Sequence, residues 1–246
     1  QEVRSLGYKK LISPEFRVTV GDYEVTDGIE VECFSSKESH MDWCRVELSP
    51  QLQGVLKFKD MDEASVELGY EDDFDSLIDG YVRCGDTDYW KEIMIKDDMM
   101  KLDRVTIKAS FVDCEPQDVI RYVLACAGIE DYVLSDEHYG KKDLFVIDRK
   151  SGIKNPFFFQ KKVFYWGTKE EQKEIYVLEE GETILSLNKY GDLWEAETIA
   201  IPWIHHSQEV EVQHSKYSGI EKTIVRSDDT GAVHMYIYFA GGEKDV

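Results

Sequence analysis

Apolar and polar positions alternate with period two along most of this chain of 246 residues. Phe16, Val18 and Val20 alternate with Arg17 and Thr19, the pattern of a strand with one buried face, and Gly21-Asp22 follows as a turn. The same alternation returns at residues 29–34, 44–48, 64–70, 76–82 and 105–111, with Ser49-Pro50 stopping the run at 44–48. Residues 115–128 break it. There Val119, Ile120, Val123, Leu124 and Ala127 recur at three- and four-residue spacing, which predicts one buried helix face. Pro116 stands where a missing N–H costs nothing, and Gly128 stands at the expected end. Beyond the helix, residues 136–143 read as a loop and 144–147 as a strand. The aromatic runs 157–159 and 163–166 follow, then 174–178 and 183–187, the latter also readable as a helical turn. Residues 197–201, 209–214, 223–226 and 233–239 complete the strands, with a turn at 227–231 before the last. Residues 1–14 are polar and read as an arm, and residues from 240 on read as frayed.

This arrangement predicts a mainly β fold, with two small β-barrel-like modules joined by a short helix. The expected divisions are an arm at 1–14, a first module at 15–114, helix and linker at 115–143, and a second module at 144–246.

Charge narrows the partners. Fifty acidic residues against 29 basic ones give a net charge of −21, which disfavours nucleic acid and anionic membranes as binding partners. No apolar run approaches the ~20 residues that span a bilayer. The five cysteines, at 33, 44, 84, 114 and 126, form no Cys-x-x-Cys pair. Their odd number and wide spacing read as free thiols in a chain folded in a cytoplasm. No signal peptide is visible at Gln1.

Candidate chemistry is sparse. Glu71-Asp72-Asp73-Phe74-Asp75, with Asp79-Gly80, invites a calcium reading but lacks the alternating ligand spacing and closing glutamate of a calcium loop. His205, His206, Glu209 and His214 are the best transition-metal candidates, yet adjacent histidines on an extended segment point to opposite faces. Phe157, Phe158, Phe159, Phe164, Tyr165 and Trp166 read either as a sugar-stacking platform or as core. No nucleophile elbow, phosphate loop or dinucleotide fingerprint is present. The reading is therefore no catalytic, cofactor-binding or metal residue and no enzyme. A carbohydrate-active hydrolase or glycan-binding module on a β scaffold is the alternative.

Taken in order, four stretches resemble the phage tail baseplate hub family. This is the late control protein D group of contractile-tailed phages, prophages and tailocins, related to the base of type VI secretion spikes. They are residues 14–21 with 29–34, residues 64–70 with 77–82, residues 116–129, and residues 201–239 with Ile201-Pro202-Trp203-Ile204-His205-His206-Ser207 at their head. Phe164-Tyr165-Trp166 is similar to an aromatic segment of the shorter, prophage-type hubs. The resemblance implies two similar barrels per chain and a homotrimer whose six barrels match a sixfold tail tube on one side and a threefold spike on the other. Tube and spike proteins are then the partners. Tape-measure protein and DNA pass through only as cargo. The place is the baseplate of a virion or tail-like particle assembled in the bacterial cytoplasm. The acidic excess should in part line the channel and oppose ring closure, so association should strengthen with salt.

Overall fold

The computed structural model describes residues 2–5, 13–38, 41–84, 91–154, 156–172, 174–213, 215–217, 219–228 and 230–240. Up to the helical region the chain forms β1 (Glu2–Ser5), β2 (Glu15–Val20), β3 (Tyr23–Val25), β4 (Ile29–Ser36), β5 (Trp43–Leu48), β6 (Glu63–Tyr70), β7 (Asp73–Arg83) and β8 (Glu92–Lys96). The middle contains α1 (Met99–Asp103), β9 (Ala109–Cys114), α2 (Pro116–Ala127), β10 (Tyr132–Leu134), β11 (Lys142–Val146), α3 (Arg149–Gly152), β12 (Phe157–Gln160) and β13 (Val163–Trp166). The last third contributes β14 (Glu174–Leu178), β15 (Ile184–Tyr190), β16 (Leu193–Thr198), β17 (Val210–Val212), β18 (Ser215–Tyr217), β19 (Ile220–Ser227) and β20 (Val233–Ala240). The mainly β class holds.

The strands do not close into two barrels. Among the described residues, one 11-stranded sheet runs in the order β15-β16-β20-β19-β4-β5-β8-β7-β6-β2-β3. The edge of β4 that would be needed to close the first set is taken by β19, with Phe34 opposite Ile224 and Cys33 opposite Val225. The first and last parts of the chain therefore share one sheet and one core. That core runs from Phe16, Val18 and Val66 to Ile237 and Phe239. Residues 1–14 are not wholly an arm, since β1 pairs in parallel with β14.

The middle of the chain builds a second, smaller core. Leu102, Val119, Val123, Leu124, Phe157, Phe164 and Trp166 meet there, and the expected boundaries at 114 and 144 fall inside it. α2 starts with a capping box, in which the side chains of Glu115 and Asp118 each bond the other's backbone, and Pro116 occupies the first turn. It ends at Gly128 with φ 69°, the left-handed conformation that glycine adopts without cost. The helix is a wall of this unit rather than a linker. α3 is held by Asp148, whose carboxylate accepts the Ser151 backbone N–H at 2.8 Å.

Cys33 and Cys44 lie directly opposite each other across the β4–β5 hairpin, and the structure joins them as a disulfide. Five free thiols therefore become three, at Cys84, Cys114 and Cys126. Eleven residues of separation conceal a relation that the hairpin register makes immediate.

Candidate functional site

The two cores meet along a buried polar seam. Asp42 lies just before β5. Its carboxylate accepts the Ser35 hydroxyl at 2.5 Å and the Ser36 backbone N–H at 3.0 Å. Its own backbone N–H donates to the Asp97 carboxylate at 3.0 Å. Asp97 follows β8 and takes the Met99 backbone N–H as well, so it ties β5 to the start of α1. Asp98 beside it is buried against Lys101, 2.8 Å away. Burial pushes the Asp42 carboxyl up to about 7 against the hydrogen bonds from Ser35 and Ser36. Asp97 is pushed well above the ordinary carboxyl range by burial and then by the neighbouring charge of Asp42.

His205 and His206 enter the same seam from the loop between β16 and β17. His206 is 1 % exposed, and Phe158 packs on its ring at 4.8 Å, edge to face. Its Nδ1 lies 2.9 Å from the Ser207 hydroxyl and its Nε2 3.9 Å from the Asp42 carboxylate. Burial, then the charges of His205 and Lys37, hold its pKa down to about 4. His205 Nε2 lies 3.9 Å from Asp75, which also pairs with Lys161 at 2.7 Å. Burial disfavours the Asp75 anion, but hydrogen bonds and charge from His205 and Lys161 outweigh it and hold the carboxyl down to about 2. Asp75 and Lys161 thus clasp β7 to the turn between β12 and β13.

The residues singled out in the sequence are dispersed. Glu71, Asp72 and Asp73 are exposed at the β6–β7 turn, whereas Asp75 is in the seam and Asp79 accepts the Ser76 hydroxyl at 2.7 Å. Glu209 accepts no bond from the histidine pair. Its backbone N–H donates to Gln172 and its carboxylate faces Lys169 at 3.7 Å. His214 lies outside the described residues. Among those described, no three His, Cys, Asp or Glu side chains converge with the geometry to hold a metal ion. The six aromatics form the β12–β13 hairpin, with Phe157 opposite Trp166 and Phe159 opposite Phe164, and none is more than 9 % exposed. They are core, not an open sugar platform.

Asp42, Asp97 and Asp98 escaped the sequence reading. One signal was available, since Asp97-Asp98 precedes Met99-Met100-Lys101-Leu102, an acidic start to a short helix. Nothing in the sequence marks Asp42 as buried. Tyr70 belongs to the same joinery. At the end of β6, its hydroxyl donates to the Ala200 carbonyl at 2.6 Å, linking the first part of the chain to the last. Burial pushes its phenol up to about 12. Asp42, Asp97, Asp75 and Tyr70 each join one element to another, which is the chemistry of a structural joint.

This fold, a mainly β sheet built from both ends of the chain with a small α/β unit between them, is similar to that of solved tail proteins. It matches the 43 kDa tail protein of prophage MuSo2 from Shewanella oneidensis at TM-score 0.65 and 12% identity, over 92% of this chain and 97% of that one. The tail protein from Neisseria meningitidis MC58 matches at TM-score 0.66 and 10% identity, over 93% and 96%. The E. coli c3393 protein, a component of the type VI secretion system with structural similarity to T4 bacteriophage tail proteins gp27 and gp5, matches at TM-score 0.64 and 9% identity, over 93% and 77%. No family model matches the sequence, and no curated protein matches it.

Proposed function

We propose that this chain is a structural component of a phage tail or tail-like particle, and that its place there is the baseplate hub. The observation that carries the reading is the fold, which corresponds to a prophage tail protein over nearly the whole of both chains. A buried joint that spends its polar groups on holding elements together supports a structural role. In this reading three chains form a ring that adapts the sixfold tube to the threefold spike, and tube and spike proteins are its partners. Closed symmetry also covers sheet edges between copies. Tape-measure protein and DNA pass through without binding, because an acidic wall repels phosphate. The particle is assembled in the bacterial cytoplasm.

Removal of the gene from the producing bacterium tests this. Tubes without baseplates, or no tails at all, are expected, together with labelling of the wild-type baseplate by an antibody to this chain. Normal infective or bactericidal particles in the deletion strain would end the proposal. The ring is tested separately by sedimentation. Like charge opposes closure, so association should strengthen with salt, which screens charges beyond ~8–10 Å. A trimer that dissociates as salt rises would contradict the charge argument.

A further inference from the structure

In a chain of net charge −21, one groove is basic. It lies beside α3 and has a volume of about 680 Å³. Lys37, Arg149, Lys150 and Lys154 line it against a single acid, Glu38, over a floor that includes Phe157 and Phe158. Two of the cations are committed within the chain. Lys37 pairs with Glu221, and Arg149 is held against Asp103 at 2.7 Å. The Nε–H of Arg149 is buried and has no acceptor among the described residues. Lys150 and Lys154 are exposed and make no ion pair among the described residues. Two free ammonium groups in one concave place call for carboxylates from outside the chain.

A second observation locates carboxylates of the right kind on this same molecule. β15 is one edge of the 11-stranded sheet; the 179–181 turn bonds its first residue, Ile184, and beyond it no strand pairs with its outer side among the described residues. Leu185 on that strand is 58% exposed and Tyr190 is 62% exposed. An open edge with apolar side chains is a surface that proteins cover. The turn that leads into it is Glu179-Glu180-Gly181-Glu182, with Glu180 and Glu182 exposed. Acidic turn and open edge are contiguous, so one neighbour would answer both.

We propose that the basic groove receives the acidic turn at residues 179–182 of a second copy of this chain, and that this contact covers the β15 edge. The two surfaces are different, so the contact is head-to-tail, which closes into a ring when the rotation between copies closes. The inference rests on the hub reading for its biological setting, and it names the surfaces by which copies meet. It also answers a physical difficulty. Chains of charge −21 repel at long range, and a local reversal of sign at the contact gives closure a specific attraction; salt screens both, so the contact is judged at one salt concentration.

The full-length chain and its variants, compared by sedimentation velocity at one fixed moderate salt concentration, test it. Lys150→Glu with Lys154→Glu should weaken self-association by about tenfold or more. Glu180→Lys with Glu182→Lys should do the same. Mixing the two variants, each unable to pair with itself, should restore a one-to-one contact between them. Lys162→Glu, outside the groove, should associate like wild type, and circular dichroism should show all variants folded. Association of the groove variant at wild-type strength would overturn the contact while leaving the ring possible by another surface. Failure of the mixture to associate would equally overturn it. So would a wild-type chain that stays monomeric at sub-millimolar concentration. None of these outcomes bears on the hub reading, which the deletion experiment decides.

Discussion

Replacing Asp42 by Asn should stabilise the protein most at alkaline pH, less at pH 5, and hardly at all below pH 3.8. The carboxyl sits in the seam between the two cores with only 13% of its side chain exposed, and it faces Ser35 and Ser36 on β4 and His206, while the Asp42 backbone N–H binds Asp97. Its pKa rises from the ordinary 3.8 to about 7. A raised acid contributes stability that is complete below 3.8 and is lost as pH climbs through about 7. Each pH unit in that interval carries ~1.4 kcal/mol, so the ionised side chain costs up to ~4 kcal/mol at pH 8. The remaining exposure of the carboxyl reduces this to about 2–4 kcal/mol. Asn keeps an acceptor for the Ser36 N–H and turns the Ser35 bond around, so it imitates the protonated acid. The expected difference in Tm, variant minus wild type, is several degrees positive at pH 8 and about a third as large at pH 5.

His206 provides the counter-check. Its pKa falls from 6.5 to about 4, so its stabilising contribution is present above 6.5 and is lost as pH falls through about 4. Between these values it opposes Asp42, while Asp97, raised like Asp42, adds to it. His206→Gln should therefore make stability climb more steeply on acidification, whatever its absolute cost. Differential scanning calorimetry from pH 5 to 8 reads both variants. An Asp42→Asn penalty that is larger at pH 8 than at pH 5 would refute the reasoning. It would mean that the ionised carboxylate, paired with a protonated His206, is the stabilising state.

Three further outcomes are expected. Gly80→Ala should destabilise by about 1–3 kcal/mol or more, because a Cβ there would meet the Lys96 carbonyl oxygen of β8 at van der Waals overlap, and urea unfolding would show the midpoint fall. Tyr70→Phe should cost about 1–3 kcal/mol by leaving the buried Ala200 carbonyl without its donor, with no loss of strand content by circular dichroism. Thiol titration of the unreduced protein in denaturant should find the three thiols of Cys84, Cys114 and Cys126, and five would refute the Cys33–Cys44 bond.

Much of the local structure was legible because it is written at short range. The alternation of Phe16, Val18 and Val20 appears as β2, and the Pro116-to-Gly128 signals bound α2 within a residue. Two ends slipped. The strand read at 105–111 lies at Ala109–Cys114, and the one read at 197–201 lies at Leu193–Thr198, because β-branched and aromatic residues continue past the true edges in both places. β8 was not read at all, although Ile93 and Ile95 are buried in it, since three residues of alternation are too few to stand out. α1 and α3 are too short for a helical period to show, and only their acidic caps announce them. The pairing of β19 with β4 joins residues nearly 200 positions apart and has no local signature, so two barrels were the natural inference where one sheet exists. The seam was illegible for the same reason. Nothing local marks Asp42 or Asp97, His206 reads as a metal candidate, and only the tertiary fold brings the three together.

The seam bears on the hub reading through rigidity. A ring of copies that adapts one symmetry to another needs its subunits to keep a fixed internal angle. Here the angle between the large sheet and the small α/β unit is held by groups that are costly to leave unpaired. Asp97 binds the backbone N–H groups of both Asp42 and Met99, and Asp75 binds Lys161 across the two units. A purely apolar joint of the same area would be as strong, but it could slide, because dispersion has little directional preference. Hydrogen bonds to buried carboxyls do not permit sliding, since every displaced geometry strands a donor or an acceptor. The same cluster places two raised acids beside a depressed histidine, which limits how far stability drifts as pH changes. A joint that resists both sliding and mild acid suits the ring proposed above.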